Sequence, residues 1–330
     1  MISSEVSIFR NKYFRFLLGI VIGGALLFLS LKDVSLSAVK EELENITYAW
    51  IVLSLGFYWV ELSLRIVRWR VLLSQVKPPI AGRHVTIAFL SGYAANNVLP
   101  AKLGEAFRAD LLGRLANVSR LTAFGSIILE RLFDMVVVLA MTAWGVLFIT
   151  TTHPDVLEDV NKGLVILTAP IAILVVVVYF LVAKKDSPLN VKIKALSVKL
   201  QNLIQGLHIL EDSSSYLKLI AATLIIWMLN CLAIWSIMMA LGIQLGVHQT
   251  ILLIGITGIS AAIPAAPAGI GTLQYAFYIC AVLFEFSSSA ALVASTIVQL
   301  VLLGSATVVG AMCYSYAVSN HFLQSDKGAE

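Results

Sequence analysis

Residues 96–104 read NNVLPAKLG and interrupt an apolar stretch of about residues 84–114 near its middle. A second apolar stretch, about residues 250–286, is interrupted in the same way by PAAPAGIG at residues 264–271. Proline lacks the N–H that a helix needs and glycine lowers helix stability, so two or more of them together break a helix. The breaking residues are Pro100 and Gly104 in the first stretch and Pro264, Pro267, Gly269 and Gly271 in the second. Each stretch is therefore predicted to form two half-helices.

The composition of the whole chain excludes a soluble protein. Of 330 residues, 59% are hydrophobic and 13% carry a charge, whereas soluble domains have about 45–50% apolar and about 25% charged residues. Such a chain has too few charges to cover a surface that faces water. A soluble enzyme, a nucleic-acid-binding protein and a disordered chain are excluded, and the sequence predicts an integral membrane protein.

Six uninterrupted apolar runs reach the length of about 20 residues that a membrane-spanning helix needs. They lie at about residues 13–31, 48–67, 122–149, 163–183, 219–241 and 290–316. Irregular backbone at membrane depth persists only where protein or a wet cavity satisfies its polar groups. The two broken stretches are therefore predicted to be re-entrant hairpins. The expected fold class is an all-α integral membrane protein with six spanning helices and two re-entrant broken-helix hairpins.

The distribution of Lys and Arg supports this topology. Six spans and two re-entrant hairpins place both termini on one side, together with 19 of the 23 Lys and Arg residues. The other side holds only Lys32, Lys40 and Lys162, and Arg131 lies within a span. Because Lys/Arg-rich loops stay in the cytoplasm, both termini are predicted to be cytoplasmic in a multi-pass protein of the cell membrane. The lysine-bearing segment 189–210 is predicted to be an amphipathic helix on that surface.

The two halves of the chain, within one polytopic domain over residues 1–330, share one order of elements. Residues 13–149 and residues 163–316 each read span, span, broken hairpin, span, and the two breaks share the pattern P-A-x-[L/I]-G. Three spans per half invert the second half relative to the first. Paired, broken segments at matching places in inverted halves are typical of a transporter with a site near the middle of the bilayer.

A few ionisable residues in the predicted spans and beside the first break are the candidate site. They are Glu61, Arg65 and Arg68 in the second span, Glu105 and Arg108 after the first break, and Glu130, Arg131 and Asp134 in the third span. Of these, Glu61, Glu130, Arg131 and Asp134 lie deepest in the membrane. A charge at this depth is unfavourable by about 2.5–3.5 kcal/mol, and arginine is suited to bidentate binding of phosphate. We expect the four arginines and Glu105 to contact a lipid headgroup. The other three carboxylates would orient the arginines or exchange ions or protons, and ion pairs that only tie helices together are the alternative.

Motifs for metal binding or for nucleotide-driven chemistry are absent from the sequence. The five histidines are scattered, and the three cysteines lie far apart within apolar runs, which gives no metal-ligand spacing. Neither a cofactor nor a metal is expected, and the chain is not expected to be an enzyme. A membrane-embedded transferase that uses Glu61, Glu105, Glu130 or Asp134 as a base is the remaining bond-making alternative.

Four motifs resemble those of the lysylphosphatidylglycerol synthase transmembrane-region family, also called the flippase-like domain. Residues 97–108 resemble its N-x-x-P-x-x-x-G-E-x-x-R motif, 65–69 its R-x-x-R-W, 130–134 its E-R-x-x-D, and 264–274 its P-x-x-P-G-G-x-G-x-x-E. The resemblance implies a domain that moves lipids between leaflets, and it adds Asn97 to the expected headgroup-binding residues. It also adds Gln274 to the second break. Here Ala268 replaces a frequent Gly and Gln274 a usual Glu, which argues against a charge-dependent role at that position.

The sequence therefore predicts a lipid translocase for a lipid with a polar, phosphate-bearing headgroup. Only a short polar tail follows Ser319, so we expect a stand-alone member without the synthase domain. The expected partners are a membrane lipid and a separately encoded lipid-synthesising enzyme, and no nucleic acid. An integral-membrane glycosyltransferase, or an accessory subunit acting on lipid-linked sugars, is the alternative function. A scaffold that binds lipid without moving it is a third possibility.

Overall fold

The structure is a computed structural model that describes residues 12–73, 79–99, 103–150, 152–183, 213–263 and 266–320. All the regular elements of these residues are helical. They are α1 (Lys12–Leu31), α2 (Leu36–Glu44), α3 (Tyr48–Leu72), α4 (Gly82–Val98), α5 (Leu103–Ala116), α6 (Arg120–Phe148), α7 (Pro154–Ala183), α8 (Ser213–Ala240), α9 (Val247–Ala262), a 3-10 turn (Pro267–Gly269), α10 (Thr272–Phe284), α11 (Ser288–Ile297), a π-helical segment (Val298–Leu303) and α12 (Gly304–Ser319). The all-α prediction is confirmed.

Several of these helices are long and apolar enough to cross a membrane. Among the described residues they are Tyr48–Leu72, Leu217–Ala240, Pro267–Phe284 and Ser288–Ser319. The segments Gly19–Leu31 and Leu36–Glu44, bent by 81° at a short break, form a fifth if they are counted as one span. The chain is thus a multi-pass helical membrane protein.

The predicted spans agree with the helices of the structure in some places and not in others. The run predicted at 122–149 corresponds to α6, which has 29 residues, and the run predicted at 163–183 lies within α7, which has 30 residues. The candidate span Pro267–Phe284 lies in the segment predicted as the second hairpin. The number of crossings therefore stays a prediction, and the predicted amphipathic helix at 189–210 lies outside the described residues.

The first break separates α4 from α5, which pack against each other. Helix α4 ends at Val98, and Leu99 has extended backbone (φ −86°, ψ 144°), as a residue before proline prefers. Pro100 itself lies outside the described residues. Gly104 lies in the first turn of α5, where an added Cβ would meet the backbone of Gly92. Gly104 therefore allows the two arms to pack closely, while the break itself precedes it.

The second break lies between α9 and α10 and has a strained backbone. Ala268, Gly269 and Gly271 have φ values of +53°, +68° and +86°, in the region that favours glycine. An added Cβ on Gly271 would overlap the carbonyl of Gly23 in α1. Helix α1 therefore packs directly on this turn, and Pro264 lies outside the described residues.

Three helix pairs make the most extensive contacts, namely α3 with α8, α4 with α12, and α6 with α9. Small residues bring the last two pairs close together. Gly310 of α12 lies against Leu90 of α4, and Gly255 of α9 lies against Thr142 of α6. Close approach at small residues is how helices associate in membranes, where packing replaces the hydrophobic effect. Each hairpin thereby has its first arm packed on a long helix of the other half.

Candidate functional site

Seven ionisable side chains from three helices form one group, which we call the charged cluster. Its members are Glu61, Arg65 and Arg68 of α3, Arg108 of α5, and Glu130, Arg131 and Asp134 of α6. The α3 members recur at positions i, i+4 and i+7, so they share one helix face. Six of the seven are buried, with Glu130 at 0% and Arg68 at 2% exposure.

Asp134 connects α6 to α3. Arg68 donates through Nη1 to Asp134 Oδ1 at 2.8 Å and through Nη2 to Oδ2 at 3.0 Å. Arg65 Nη1 lies 3.4 Å from Asp134 Oδ2, and Trp227 Nε1 donates to Oδ1 at 3.3 Å. Arg68 also donates to Thr223 Oγ1 at 3.1 Å. The two parallel bonds from Arg68 to Asp134 form the bidentate geometry in which arginine binds carboxylates most strongly.

Glu130 is shared by three arginines. Arg131 Nη2 donates to Glu130 Oε1 at 2.7 Å, and Arg108 Nη2 donates to Oε2 at 2.9 Å. Arg68 Nη2 lies 3.4 Å from Glu130 Oε1. The guanidinium of Arg108 also lies 3.6 Å from the ring centre of Trp69, a cation–π contact that is favourable where water is excluded. Glu130 therefore joins the first hairpin to α3 and α6.

Glu61 completes the cluster from the same face of α3. Its Oε1 accepts from Arg65 Nε at 2.8 Å, and its Oε2 accepts from Asn230 Nδ2 at 3.0 Å. The sequence analysis did not single out Thr223, Trp227 and Asn230 of α8, which all contact the cluster. Their spacing of four and three positions within an apolar helix was the available signal, because it places them on one face.

A cavity of about 300 Å³ lies between the two hairpins, near the lower end of the range of about 300–1,000 Å³ for ligand sites. Its polar lining comes from both halves of the chain: Tyr93, Asn96, Asn97, Glu105 and Arg131 from the first, and Trp227, Asn230, Thr257, Ser260 and Thr272 from the second. This size suits a headgroup rather than a whole lipid. Polar groups from both halves therefore face one shared space.

The structure divides the residues expected to contact a headgroup into two sets. Asn97, Glu105 and Arg131 line the cavity, and 42% of the Arg131 side chain is exposed. Arg65, Arg68 and Arg108 contact carboxylates but do not line the cavity, and their side chains are 10%, 2% and 6% exposed. Headgroup binding by these three arginines stays a prediction.

Charge is balanced across the cluster and the cavity. Four arginines face Glu61, Glu130 and Asp134, and Glu105 adds a fourth carboxylate whose Oε1 lies 3.5 Å from Arg131 Nε. Buried charges are tolerated when each has partners. Arg131 is the cluster member that both belongs to this neutral network and faces the cavity.

Two uncharged amide side chains lie beside the second break. Gln274 Oε1 accepts from the backbone N–H of Gly271 at 2.8 Å, and Gln274 Nε2 donates to Gln299 Oε1 at 2.7 Å. Gln299 Nε2 donates to the carbonyl of Ala268 at 3.1 Å. We call Gln274 and Gln299 the amide pair. It connects the π-helical segment to the turn and satisfies backbone groups that the break leaves without helical partners.

These features define a multi-pass helical membrane protein with two broken hairpins and a charged cluster beside the first of them. Residues 16–310 match the family described as the lysylphosphatidylglycerol synthase TM region. The chain therefore belongs to this family, which confirms the resemblance of its motifs and relates it to membrane proteins of lipid handling.

Two curated relatives are archaeal membrane proteins. A UPF0104 membrane protein of Methanocaldococcus jannaschii is 25% identical over 234 residues, which cover 70% of this chain and 97% of the relative. A UPF0104 membrane protein of Methanothermobacter thermautotrophicus is 19% identical over 340 aligned positions, which cover 92% of this chain and 97% of the relative.

Proposed function

We propose that this protein moves a lipid with a polar, phosphate-bearing headgroup between the leaflets of the membrane. The observation that supports this proposal is the cavity between the two hairpins, which is lined by polar residues of both halves and by the partly exposed Arg131. Sites at the meeting point of two broken hairpins are typical of transporters. The headgroup would occupy the cavity while the tails stay in the bilayer.

The proposed architecture behind this activity is an inverted repeat with six spans and both termini in the cytoplasm. Its support is the reciprocal packing of α4 on α12 and of α9 on α6. In each case the first arm of one half's hairpin packs on the last long helix of the other half. Movement of the halves around the cavity would expose it to each leaflet in turn, and a separately encoded enzyme would supply the lipid.

Arg131 is the residue that we propose to contact the phosphate. Its side chain is 42% exposed and lines the cavity, and phosphate binding by arginine is charge-assisted. Replacing it leaves Glu130 with Arg108 at 2.9 Å and Arg68 at 3.4 Å. The variant Arg131→Gln should therefore fold, which makes it a sharper test than changes at the fully buried members.

The test is lipid transfer in reconstituted vesicles of phosphatidylcholine. Fluorescent phosphatidylglycerol in the outer leaflet is destroyed by an impermeant reductant, so the protected fraction reports transfer. Wild type should transfer the lipid faster than protein-free vesicles. Arg131→Gln should be slower by about tenfold or more, since a hydrogen bond to a charged group contributes about 1.5–3 kcal/mol and 1.4 kcal/mol is a factor of ten.

A matched control is Arg114→Gln. Arg114 has 46% side-chain exposure and pairs with Asp110 at 2.8 Å, yet it does not line the cavity. Its transfer rate should stay within twofold of wild type. Equal rates for Arg131→Gln and wild type would remove Arg131 from the site, and no transfer by wild type would overturn the proposed function. Formation of a glycosylated lipid from a nucleotide sugar and polyprenyl phosphate would favour a transferase.

A further inference from the structure

Two asparagines that line the cavity already donate hydrogen bonds to other residues of the protein. Asn97 Nδ2 donates to the carbonyl of Leu303 at 3.3 Å and to Thr307 Oγ1 at 2.9 Å. Asn230 Nδ2 donates to Glu61 Oε2 at 3.0 Å. A backbone carbonyl and a carboxylate can only accept, which fixes the orientation of both amides. Both N–H groups of Asn97 and one of the two N–H groups of Asn230 are therefore in use, and the amide oxygens of both residues point to acceptor capacity for a ligand.

The three hydroxyl groups that line the cavity also use their hydrogens in bonds within the protein. Thr257 Oγ1 donates to the carbonyl of Ile254 at 3.0 Å, Ser260 Oγ to that of Thr257 at 2.7 Å, and Thr272 Oγ1 to that of Gly269 at 3.0 Å. A hydroxyl has one hydrogen and two lone pairs. Each of these residues therefore offers only acceptor capacity to the cavity.

The remaining lining completes this pattern. The indole N–H of Trp227 donates to Asp134, and the carboxylate of Glu105 can only accept. Arg131 is the cation in the described lining, and the other hydrogens there belong to Tyr93, Asn96 and the second N–H of Asn230. The cavity is therefore rich in hydrogen-bond acceptors arranged around one guanidinium group.

We infer that the cavity binds a phosphate headgroup that carries hydrogen-bond donors of its own, either hydroxyl or ammonium groups. The phosphate would lie at Arg131 and the donors at the acceptor oxygens. A headgroup without donors would displace water from these oxygens and leave them unpaired, which is unfavourable. The inference rests on the proposed function only in taking the ligand to be a lipid headgroup.

Four short-chain lipids distinguish the effect of hydrogen-bond donors in the headgroup from the effect of its net charge. Dihexanoyl phosphatidylglycerol has hydroxyls, and dihexanoyl phosphatidylethanol has the same charge without them. Dihexanoyl phosphatidylethanolamine has an N–H-bearing ammonium, and dihexanoyl phosphatidylcholine has the same net charge without N–H. Dissociation constants for the purified protein in detergent are measured by calorimetry.

The donor-bearing member of at least one pair should bind about tenfold more tightly than its partner, the effect of one or two hydrogen bonds. The pair that shows the difference identifies hydroxyl or ammonium as the source of the donors. Equal affinities within both pairs, an affinity order that follows net charge alone, or no binding of any of the four would overturn the inference.

Substitutions of two lining residues test whether the hydroxyls of the cavity cause the preference for headgroups with hydrogen-bond donors. In Ser260→Ala and in Thr257→Val, the ratio of affinities within the discriminating pair should fall severalfold. Ser295→Ala is the matched control because Ser295 makes the same bond to the carbonyl three residues earlier, at 2.9 Å, and does not line the cavity. Its ratio should equal that of wild type. An unchanged ratio in both cavity variants would overturn the inference.

The binding measurement tests this inference, and the vesicle measurement tests the proposed function, so either hypothesis can be wrong while the other holds. If the donor preference appears in detergent but no lipid crosses the bilayer, the proposed function fails and the donor-selective site stands. If lipids cross at equal rates and bind without donor preference, the translocase stands and this inference fails.

Discussion

The first broken hairpin contacts a group of charges, whereas the second is stabilised by uncharged amides. Beside the first break, Arg108 donates to Glu130 at 2.9 Å within a network of seven ionisable side chains. Beside the second, Gln274 donates to Gln299 at 2.7 Å and no charged group takes part in the described contacts. Both arrangements pair polar side chains with one another within an apolar surrounding, but we expect them to respond differently to substitution.

The difference lies in what remains after one member is removed. A buried ion network that loses one partner leaves an uncompensated charge, which destabilises a protein by about 3–5 kcal/mol. An amide pair that loses one member leaves an unpaired neutral group, at about 1–3 kcal/mol. We therefore expect the first half to tolerate substitution less than the second, although three residues of the second break have positive φ values.

The largest effect is expected for Glu130→Gln. Glu130 has 0% exposure and contacts three arginines, so a neutral amide leaves the cluster with excess positive charge. We expect a loss of about 3–5 kcal/mol, seen as a lower midpoint of thermal unfolding in detergent. The matched change in the second half is Gln299→Leu, with a loss of about 1–3 kcal/mol. If both variants unfold at the same temperature, the contrast between the two halves is wrong.

The next effect is expected for Gln274→Glu, which introduces the carboxylate that the family motif usually has. Oε1 can still accept from Gly271, but an ionised carboxylate cannot donate to Gln299 Oε1 as Gln274 does. We expect a loss of about 2–3 kcal/mol near neutral pH. The loss should shrink in acid, because a protonated carboxyl is uncharged and can donate. Unfolding midpoints at two pH values measure this, and a loss that grows in acid would contradict it.

Two neighbouring glycines of α1 test how the second turn is supported. An added Cβ on Gly23 would lie 2.7 Å from the carbonyl oxygen of Ile270, whereas one on Gly24 would meet nothing within 4 Å. Gly23→Ala should therefore destabilise by about 1–3 kcal/mol. Gly24→Ala should be neutral or stabilise by up to about 1 kcal/mol. The midpoints of thermal unfolding of the two variants test this expectation, and equal midpoints would show that α1 does not support the turn.

The smallest effect is expected for Ala268→Gly. Ala268 has φ +53°, a conformation that disfavours alanine by about 1–2 kcal/mol. Glycine removes this strain but gives the unfolded chain more freedom, which offsets about 0.4–1 kcal/mol. The net change should be a stabilisation of about 1 kcal/mol or less. A clear destabilisation in the same unfolding measurement would show that the alanine methyl has a packing role.

Much of the site followed from helical spacing and depth. Glu61, Arg65 and Arg68 share a face at intervals of four and three residues, and the structure places all three in the charged cluster. The two breaks were also predictable, because proline and glycine interrupt helices locally. The frequent glycine of the family motif at position 268 has its reason in the positive φ found there.

The sequence did not reveal which charged residues face the cavity. Four arginines were expected alike to contact a headgroup, yet the Arg131 side chain is 42% exposed and that of Arg68 is 2% exposed. Nor did it identify Gly104 as a packing residue rather than a breaking one, since that depends on how close α4 lies. The partners on α8 were missed because single polar residues in an apolar helix carry no motif.

The sequence by itself determined the membrane class, the helical fold, the positions of the breaks and the residues whose charge is unfavourable at depth. These follow from composition and from interactions within a few residues along the chain. The tertiary structure decided the partners, such as Asn230 with Glu61 across 169 positions and Arg68 with Thr223 across 155. It also decided which polar groups remain free to bind a ligand, because a side chain's exposure depends on the helices that pack around it.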